Sequence, residues 1–576
     1  MEGVRRVLER PVRVLVAAHL DEVRQVLDDA EALAMDGRIV AGFVSYDAAP
    51  AFDAALAASN APVLPLAWFA AFDGWTEALA PDVPSETSPL HAVTTLDDER
   101  YRRAVERIRE YIAAGDVYQV NLTIPFVAAP AGSVDALYER MRRAQGGRYS
   151  AFIDTGDVQV LSASPELFFE RHGRTLRCRP MKGTAPRAPS SAGDVTRRDA
   201  LLASEKDRAE NVMIVDLVRN DVGRVAETGS VRVTSLCAAE RFPRVWQLTS
   251  SVEGTLSEGT TLADIFAALF PSGSITGAPK IRATQVIREL ELSAREVYCG
   301  AVGVLEPGGD ATFNVAIRTA WSTDGGASVR LDAGGGVTID STAAGELAEA
   351  RTKLEAFTQP VPRGSLFETI RVERGVPLRL DAHLARLATS ADWFGIPFDG
   401  ARARSVMLDV ASSPAGANDS ARGRLVLAVT GDVAATVEPF VDGDPSEAQR
   451  AVTLAREPVS SDDFRLYHKL VDRRWYDQLL SESPQAFDVL LWNERDELTE
   501  FTRGNLVLEL DGELFTPPLA SGLLPGILRG ELLAEGRVSV RVLVRGDLAR
   551  ATATWFVNAL RGWVRVRWDA DGPLAR

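Results

Sequence analysis

Apolar residues recur along the chain with two spacings, every third or fourth position and every second position. The first spacing runs through DDERYRRAVERIREYIAAGD (97–116) and predicts a helix with an acidic start and a Gly-Asp end. Segments 206–221 and 346–357 show the same helical pattern. Short apolar or alternating runs predict strands at 37–47, 117–126 and 158–170.

The pattern changes near residue 360. The segment TQPVPRGS (358–365) interrupts it, and the sequence that follows, 365–395, predicts a strand, a turn, a second strand and a helix. We therefore place the main domain boundary there, giving parts 1–360 and 361–576, each long enough to fold alone. A Pro- and Ser-containing stretch at 81–90 predicts a loop or linker within the first part.

Composition narrows the class of protein. Apolar residues make up 46% and charged residues 25% of the 576 positions, which excludes a disordered or fibrous chain. The net charge of −16 argues against a protein that binds nucleic acid by neutralising phosphates. We find no signal peptide and no apolar run long enough for a membrane span. Three cysteines without a CxxC pair fit a reducing compartment, so we expect a cytoplasmic protein.

Lysine is rare in this chain. Of 64 basic residues only five are lysines, namely Lys182, Lys206, Lys280, Lys353 and Lys469. Arginine can replace lysine as a surface cation but does not deprotonate, so a nucleophilic or Schiff-base amine must be lysine. Codon bias would also explain the scarcity. Each lysine must therefore be judged by its neighbours.

Carboxylates recur at helical spacing in two segments. Asp207 and Glu210 are three residues apart, as are Glu346 and Glu349, with Lys353 one turn further. Two such helix faces brought together would hold Mg²⁺ through a few carboxylates and waters. On spacing alone, solvated helix faces with internal ion pairs remain the alternative.

A series of motifs over residues 95–358 resembles the chorismate-utilising enzymes: SASPELFFE, RPMKGTAPR, KDRAENVMIVDLVRNDVGR, FPSGSITGAPK, YCGAVG, AIRTA, GGGVTIDS and ELAEARTK. The resemblance implies a large α/β sandwich of two antiparallel sheets flanked by helices. It implies that Glu210 and Glu349 bind Mg²⁺ on a chorismate carboxylate, with Asp207 and Glu346 nearby. It also implies a set of substrate-binding residues, Thr276, Tyr298, Arg318, Gly335 and Lys353.

Lys182, in RPMKGT, distinguishes two branches of that family. The aminodeoxychorismate branch has lysine at this place, whereas the anthranilate branch has a small apolar residue. The resemblance implies that the Lys182 amine attacks C2 of chorismate and displaces the C4 hydroxyl, and that ammonia then enters at C4. Glu166 resembles the family's general acid and base. Gln247 stands where many relatives have a histidine that assists pyruvate loss, which disfavours anthranilate formation.

Residues 364–563 resemble the class IV pyridoxal-phosphate enzymes, through SLFETIRV, LYHKLVDRRWYD, LTEFTRGN, GLLPGILR and VNALRG among other segments. The resemblance implies a two-subdomain α+β fold in which Lys469 forms the Schiff base and Glu500 holds the pyridinium nitrogen. It implies a phosphate site at a helix start. The remaining expected contacts are Arg386, Gly526 and Ile527 at the phosphate, Asn505 and Asn558 along the cofactor, and Thr369 beside the substrate. Leu470 and Val471 depart from the small hydroxylated residues usual after the lysine.

The two resemblances together predict a bifunctional enzyme that makes 4-aminobenzoate from chorismate for folate. No cysteine resembles a glutaminase nucleophile, so we expect ammonia from a separate glutamine amidotransferase subunit. We expect no nucleic-acid or membrane partner, and a homodimer through the C-terminal part is an open possibility. The alternatives are an amino-acid aminotransferase in the second part, anthranilate synthesis in the first, or a scaffold in which one part has no activity.

Overall fold

The computed structural model describes residues 4–59, 61–79, 90–94, 96–355, 362–440 and 450–568. The described residues fall into two compact units, the first within 1–187 and 197–361 and the second within 188–196 and 362–576. Except for Leu90, the predicted linker at 81–90 lies outside the described residues. The predicted boundary near residue 360 also lies outside them and stays a prediction.

A ten-stranded antiparallel sheet forms one layer of the first unit. Its strands are Arg13–Ala17, Ile39–Val44, Ala67–Phe72, Leu167–His172, Thr175–Arg179, Met181–Pro186, Arg232–Arg241, Val245–Thr255, Ala301–Leu305 and Ala311–Val315. Three phenylalanines pack at its core, with ring centroids 5.2 to 5.5 Å apart: Phe169, Phe266 and Phe313. Val4–Val7 and Thr76–Leu79 form a separate two-stranded sheet.

A seven-stranded antiparallel sheet forms the other layer. Its strands are Ala92–Val93, Gln119–Ala128, Tyr149–Asp154, Gln159–Ser164, Gly277–Ala278, Thr319–Ser322 and Val329–Val337. The helices of this part of the chain are Val23–Met35, Asp98–Ala113, Val134–Gln145, Ser191–Ala203, Glu205–Gly223, Leu262–Leu269, Lys280–Leu290 and Ala343–Glu355. The sandwich of two antiparallel sheets flanked by helices is therefore confirmed.

The predicted elements of the first unit are confirmed, with one difference. The helix expected over 97–116 is Asp98–Ala113, and the Asp97 carboxylate caps it by accepting from the Glu99 amide. The strand expected over 158–170 is two strands that belong to different sheets. They separate at Pro165, which has no amide hydrogen to continue a ladder. Glu166 consequently lies where the chain passes from one sheet to the other.

The second unit contains two sheets. The first is antiparallel and consists of Leu366–Glu373, Val376–Pro377, Ala421–Leu427 and Val433–Pro439, with helices Leu380–Phe394 and Gly400–Ala411. The second is mixed and consists of Ala451–Leu454, Asp488–Trp492, Leu498–Phe501, Gly504–Leu510, Glu513–Thr516, Ser539–Val540, Ala553–Asn558 and Gly562–Trp568, with helices Arg474–Ser481 and Ile527–Ala534. The two-subdomain α+β fold is confirmed. None of the helices described is long and apolar enough to cross a membrane.

Two candidate active sites

Lys182 lies on the strand Met181–Pro186, at one edge of the ten-stranded sheet. Helix Glu205–Gly223 packs against this strand, and Asn211 joins the two. Its side-chain amide donates to the carbonyls of Lys182 and Leu248, each at 3.2 Å. This buried asparagine therefore fixes the backbone that carries the lysine.

Several charged groups surround the Lys182 amine. Burial lowers the pKa of this amine, and the positive charge of Lys353 lowers it further. The carboxylates of Glu210, Glu166 and Glu349 act in the opposite direction. Because burial has the larger effect, more of the amine is neutral than in a solvent-exposed lysine. Four of the predicted site residues thus lie close enough to influence this amine.

Glu166 is 3% exposed, and its carboxyl accepts a hydrogen bond from the Ser274 hydroxyl at 2.7 Å. Burial raises the pKa of Glu166 to about 7, although Ser274, Lys182 and the Met181 amide all lower it. A carboxyl that titrates near neutral pH can both give and take a proton there. This property is what a general acid and base requires.

Three of the four predicted metal ligands, Glu349, Glu346 and Asp207, already have protein partners. Lys353 pairs with Glu349 at 2.6 Å, and the Ser341 hydroxyl donates to Glu346 at 2.6 Å. Asp207 accepts from Ser204, whose side chain caps the helix Glu205–Gly223. Within the described ranges, no group of three or more His, Cys, Asp and Glu side chains could hold a metal ion.

Gly335 lets the strand Val329–Val337 approach the second acidic helix closely. A Cβ atom at this glycine would lie 3.0 Å from Glu346 Oε2 and 3.5 Å from Glu349 Oε1. Lys353 Nζ would be 3.6 Å away, and this amine also donates to the Gly334 carbonyl at 2.9 Å. The strand backbone and the acidic helix therefore meet without an intervening side chain.

The other predicted substrate contacts lie in the same unit. Arg318 donates to the Lys353 carbonyl, and burial lowers the pKa of its guanidinium to about 10. Tyr298 is buried, which raises the pKa of its hydroxyl well above the usual value. Thr276 is fully buried, and its hydroxyl donates to the Ser272 carbonyl at 3.0 Å. Gln247 lies on the strand Val245–Thr255, which pairs with the strand of Lys182. Its side-chain oxygen accepts a hydrogen bond from the Thr184 hydroxyl at 2.8 Å.

Lys469 lies between a 3₁₀ turn and the helix Arg474–Ser481 in the second unit. Its carbonyl accepts from the Phe367 amide at 3.0 Å, and its Nζ lies 4.9 Å from the centre of the Phe367 ring. Burial lowers the pKa of the amine to about 7, with a further contribution from Arg386. Thr369 lies on the same face of its strand as Phe367, because side chains alternate along a strand.

Glu500 is buried on the strand Leu498–Phe501 and accepts three hydrogen bonds. The Tyr476 hydroxyl donates to Oε1 at 3.2 Å, whereas the Asn505 amide and the Leu524 backbone N–H donate to Oε2 at 3.3 and 3.1 Å. Burial nevertheless raises the pKa of this carboxyl to about 8. The residue is therefore held by neutral donors, and a cationic group that reached it would favour its charged form.

Arg386 has a carboxylate partner that the sequence motifs did not reveal. Glu368, which is 1% exposed, accepts from Arg386 Nε at 2.8 Å and from Nη2 at 2.5 Å. His383 Nδ1 lies 2.7 Å from the same carboxyl. Arg386 Nη1 donates to the Pro525 carbonyl at 3.1 Å, directly before the helix start.

The predicted helix start is confirmed, since Gly526 is the N-cap of helix Ile527–Ala534. A Cβ atom at Gly526 would lie 1.8 Å from Asn505 Oδ1, so any other residue there would force the Asn505 side chain to move. Asn558 uses its side chain both within its own turn and toward a distant segment. Its amide donates to the Arg503 carbonyl at 3.0 Å, and its oxygen accepts from the Arg561 amide at 2.7 Å.

Each of the two units therefore contains a candidate active site. Comparison with known proteins assigns a family to each. Residues 76–359 match the chorismate binding enzyme family, and residues 365–568 match the amino-transferase class IV family. The chain therefore joins a chorismate-binding enzyme domain to a class IV amino-transferase domain.

Curated relatives match the first part of the chain. One is aminodeoxychorismate synthase component 1 of Bacillus subtilis, 40% identical over 48% of this chain and 58% of the relative. Another is anthranilate synthase component 1 of Streptomyces coelicolor, 41% identical over 51% of this chain and 57% of the relative. The chain thus spans less than two thirds of the length of either. A solved anthranilate synthase component I from Streptococcus pneumoniae is 27% identical, with a TM-score of 0.55 over 62% of this chain and 92% of that one.

Proposed function

We propose that the chain carries out two consecutive steps of 4-aminobenzoate synthesis. The first domain would aminate chorismate at C4 to give 4-amino-4-deoxychorismate, and the second would eliminate pyruvate from that product. The observation that carries the proposal is a desolvated lysine amine with a lowered pKa in each matched domain, Lys182 and Lys469. Both reactions need an uncharged amine, which arginine cannot supply.

In the first domain, Lys182 would be the nucleophile and Glu166 the general acid. The amine attacks C2 of chorismate, the ring double bond shifts, and the C4 oxygen leaves as water with the Glu166 proton. Ammonia then bonds to C4, the Lys182 amine is expelled from C2, and the surplus proton of the new amino group returns to Glu166. The sum is chorismate plus ammonia giving 4-amino-4-deoxychorismate plus water. A Glu166 pKa of about 7 supports both proton transfers.

Magnesium fits this domain through its carboxylates. Glu210 and Glu349, on two helices, both act on the Lys182 amine, and Asp207 and Glu346 lie one turn from them. Mg²⁺ prefers one or two protein carboxylates together with substrate oxygens and waters, so the lack of a ready group of three protein ligands is compatible with it. Bound there, it would offset the charge of a substrate carboxylate. We assign substrate binding to Thr276, Tyr298, Arg318, Gly335 and Lys353.

Pyridoxal phosphate fits the second domain. When bound, it would supply an electron sink for the carbon next to the reacting amine. Lys469 Nζ would take the C4 proton of 4-amino-4-deoxychorismate and return a proton as the enolpyruvyl group leaves, with Thr369 orienting the substrate. Glu500 would face the ring nitrogen. The absence of a side chain at Gly526 supports close approach of a phosphate to the helix start. We assign that contact to Arg386, Gly526 and Ile527, and the cofactor's flank to Asn505 and Asn558.

The names of the curated relatives bear on the source of ammonia. The curated relatives are named component 1, which supports a separate component, and we propose a glutamine amidotransferase in that role. Free ammonium should then replace it in the test tube. A homodimer through the second domain stays an open possibility, and a cytoplasmic location stays a prediction.

The test supplies chorismate, ammonium and Mg²⁺, with or without pyridoxal phosphate. We expect 4-aminobenzoate only when the cofactor is present, 4-amino-4-deoxychorismate without it, and neither product after chelation of the metal. Anthranilate as the main product would contradict the proposal, and similarity to an anthranilate synthase makes this the outcome to exclude. Pyridoxamine phosphate formed from an added amino acid would instead indicate an aminotransferase in the second domain.

A further inference from the structure

Ser274 is the side chain that holds the carboxyl of Glu166. It lies in the 3₁₀ turn Gly273–Ile275, is 5% exposed, and donates its hydroxyl proton to Glu166 Oε1 at 2.7 Å. The two residues are 108 positions apart in the chain. The Ser274 carbonyl accepts a hydrogen bond from the side-chain amide of Asn121 at 3.3 Å. This bond fixes the turn against a strand of the seven-stranded sheet.

We propose, building on the function proposed above, that Ser274 is a positioning residue that fixes which oxygen of Glu166 carries the transferable proton. A carboxyl oxygen that accepts a strong hydrogen bond is the poorer site for its own proton. With Oε1 engaged by Ser274, the proton resides on Oε2. This leaves Oε2 as the atom that protonates the departing C4 oxygen.

The surroundings show why a neutral hydroxyl suits this place. Lys182 and the Met181 amide favour the charged form of Glu166, while burial favours the neutral form and has the larger effect. Glu166 and Asp221 both line a cavity of about 10 Å³, and Asp221 is paired with Lys280 at 2.7 Å. A charged residue in place of Ser274 would disturb this balance, whereas a hydroxyl adds one directional bond.

Ser272 offers a graded comparison. Its hydroxyl is hydrogen-bonded to that of Ser274 at 3.0 Å but makes no bond to Glu166 among the described contacts, and because Ser274 donates its proton to Glu166, Ser272 is the donor. Ser272→Ala therefore keeps the direct bond to Glu166 and removes only the hydrogen bond that Ser274 accepts.

The experiment titrates Glu166 directly by infrared difference spectroscopy of its protonated carboxyl, with Glu166→Gln for subtraction. Losing a hydrogen bond to the charged form should raise the titration midpoint of Glu166 in Ser274→Ala by roughly one pH unit. Ser274→Thr should keep the wild-type midpoint, and Ser272→Ala should shift the midpoint by less than Ser274→Ala does. An unchanged midpoint in Ser274→Ala would overturn the inference. If the alanine variant folds poorly, Ser274→Cys keeps the volume with a weak donor and should shift the midpoint in the same direction.

Kinetics separate positioning from binding. With ammonium as the nitrogen source, Ser274→Ala should lower kcat for chorismate amination about 10-fold and leave KM for chorismate unchanged. A loss confined to KM would contradict the assigned role. If the wild-type chain does not aminate chorismate at all, the proposed function fails, whereas the infrared titration still decides whether Ser274 controls the Glu166 carboxyl.

Discussion

The two candidate sites make a lysine amine reactive by the same physical means but with different neighbours. In both, burial is the largest effect that lowers the pKa of the amine. Around Lys182 three carboxylates raise the pKa and only Lys353 adds to the lowering, which suits the divalent cation that we propose there. Around Lys469 two carboxylates, Glu368 and Glu500, raise the pKa, whereas two arginines, Arg386 and Arg473, lower it, and an aromatic ring lies beside the amine. Burial thus acts in the same way in both sites, while the balance of neighbouring charges is more positive around Lys469, which suits the anionic cofactor that we propose there.

Each site also contains a buried glutamate carboxyl with a raised pKa. Burial raises the pKa of Glu166 to about 7 and that of Glu500 to about 8. Each is held by a hydroxyl from a distant segment, Ser274 in the first site and Tyr476 in the second. In the first, we propose that the carboxyl moves a proton, whereas in the second it would hold one in place. A buried carboxyl paired with a hydroxyl would thus transfer a proton in one site and hold a proton in the other.

The largest expected effect comes from replacing either lysine by arginine, which keeps a positive charge but removes the titratable amine. Lys182→Arg should lower chorismate amination by about 1000-fold or more, a barrier increase of about 4 kcal/mol, and should leave pyruvate release from supplied 4-amino-4-deoxychorismate intact. Lys469→Arg should do the reverse. Product analysis by chromatography measures both reactions in the full chain. If either variant lost both activities, two independent sites would be the wrong description.

Family motifs located the two lysines and their carboxyls, because those residues stand in short contiguous segments. They did not reveal the contacts that hold the side chains. Ser274 with Glu166 and Pro525 with Arg386 join segments 108 and 139 residues apart, and no local periodicity encodes such a distance. The motif SLFETIRV indicates Thr369 and does not reveal the role of its neighbour Glu368.

Helix and strand predictions succeeded where one face of an element is buried. They were less accurate at 158–170, where both segments have strand character but pair in different sheets. Strand pairing depends on residues far along the chain. Ser162 lies beside Thr319 in the seven-stranded sheet, and Leu167 lies beside Asn314 in the ten-stranded sheet. The same limit applies to Asp207, since spacing alone could not show that Ser204 caps its helix and binds its carboxylate.

A smaller expected effect concerns the second unit, where the charge of Glu368 should make stability depend on pH. Arg386 and His383 lower the pKa of Glu368 from 4.5 to about 2 despite its burial. A carboxylate with a depressed folded pKa stabilises the fold above pH 4.5, and this contribution is lost as the pH falls toward 2. The difference corresponds to at most about 3 kcal/mol. Glu368→Gln should therefore destabilise helix Leu380–Phe394 at pH 7 and much less near pH 2.

Hydrogen exchange of the amides in that helix, corrected for the intrinsic rate at each pH, measures this change locally. Glu513→Gln, at an exposed position on a different strand, is the matched control and should not change exchange in the helix. An equal loss of protection at pH 7 and near pH 2 would mean that the Glu368 charge does not stabilise the second unit.

The smallest expected effect tests whether Tyr476 acts on Glu500 as Ser274 is proposed to act on Glu166. Tyr476→Phe removes one hydrogen bond, worth about 1 kcal/mol, and leaves the ring that packs 4.4 Å from the Arg473 guanidinium. The Tyr476 hydroxyl donates to the Glu500 carboxyl, which we expect to face the ring nitrogen of the cofactor. Affinity for pyridoxal phosphate should therefore fall about fivefold. Affinity for pyridoxal, which lacks the phosphate, should fall by the same factor. Arg386→Lys should weaken only the phosphorylated form. Equilibrium fluorescence titration with both compounds separates the two cases, and a Tyr476→Phe effect limited to the phosphorylated form would show that the tyrosine acts on the phosphate end of the site instead.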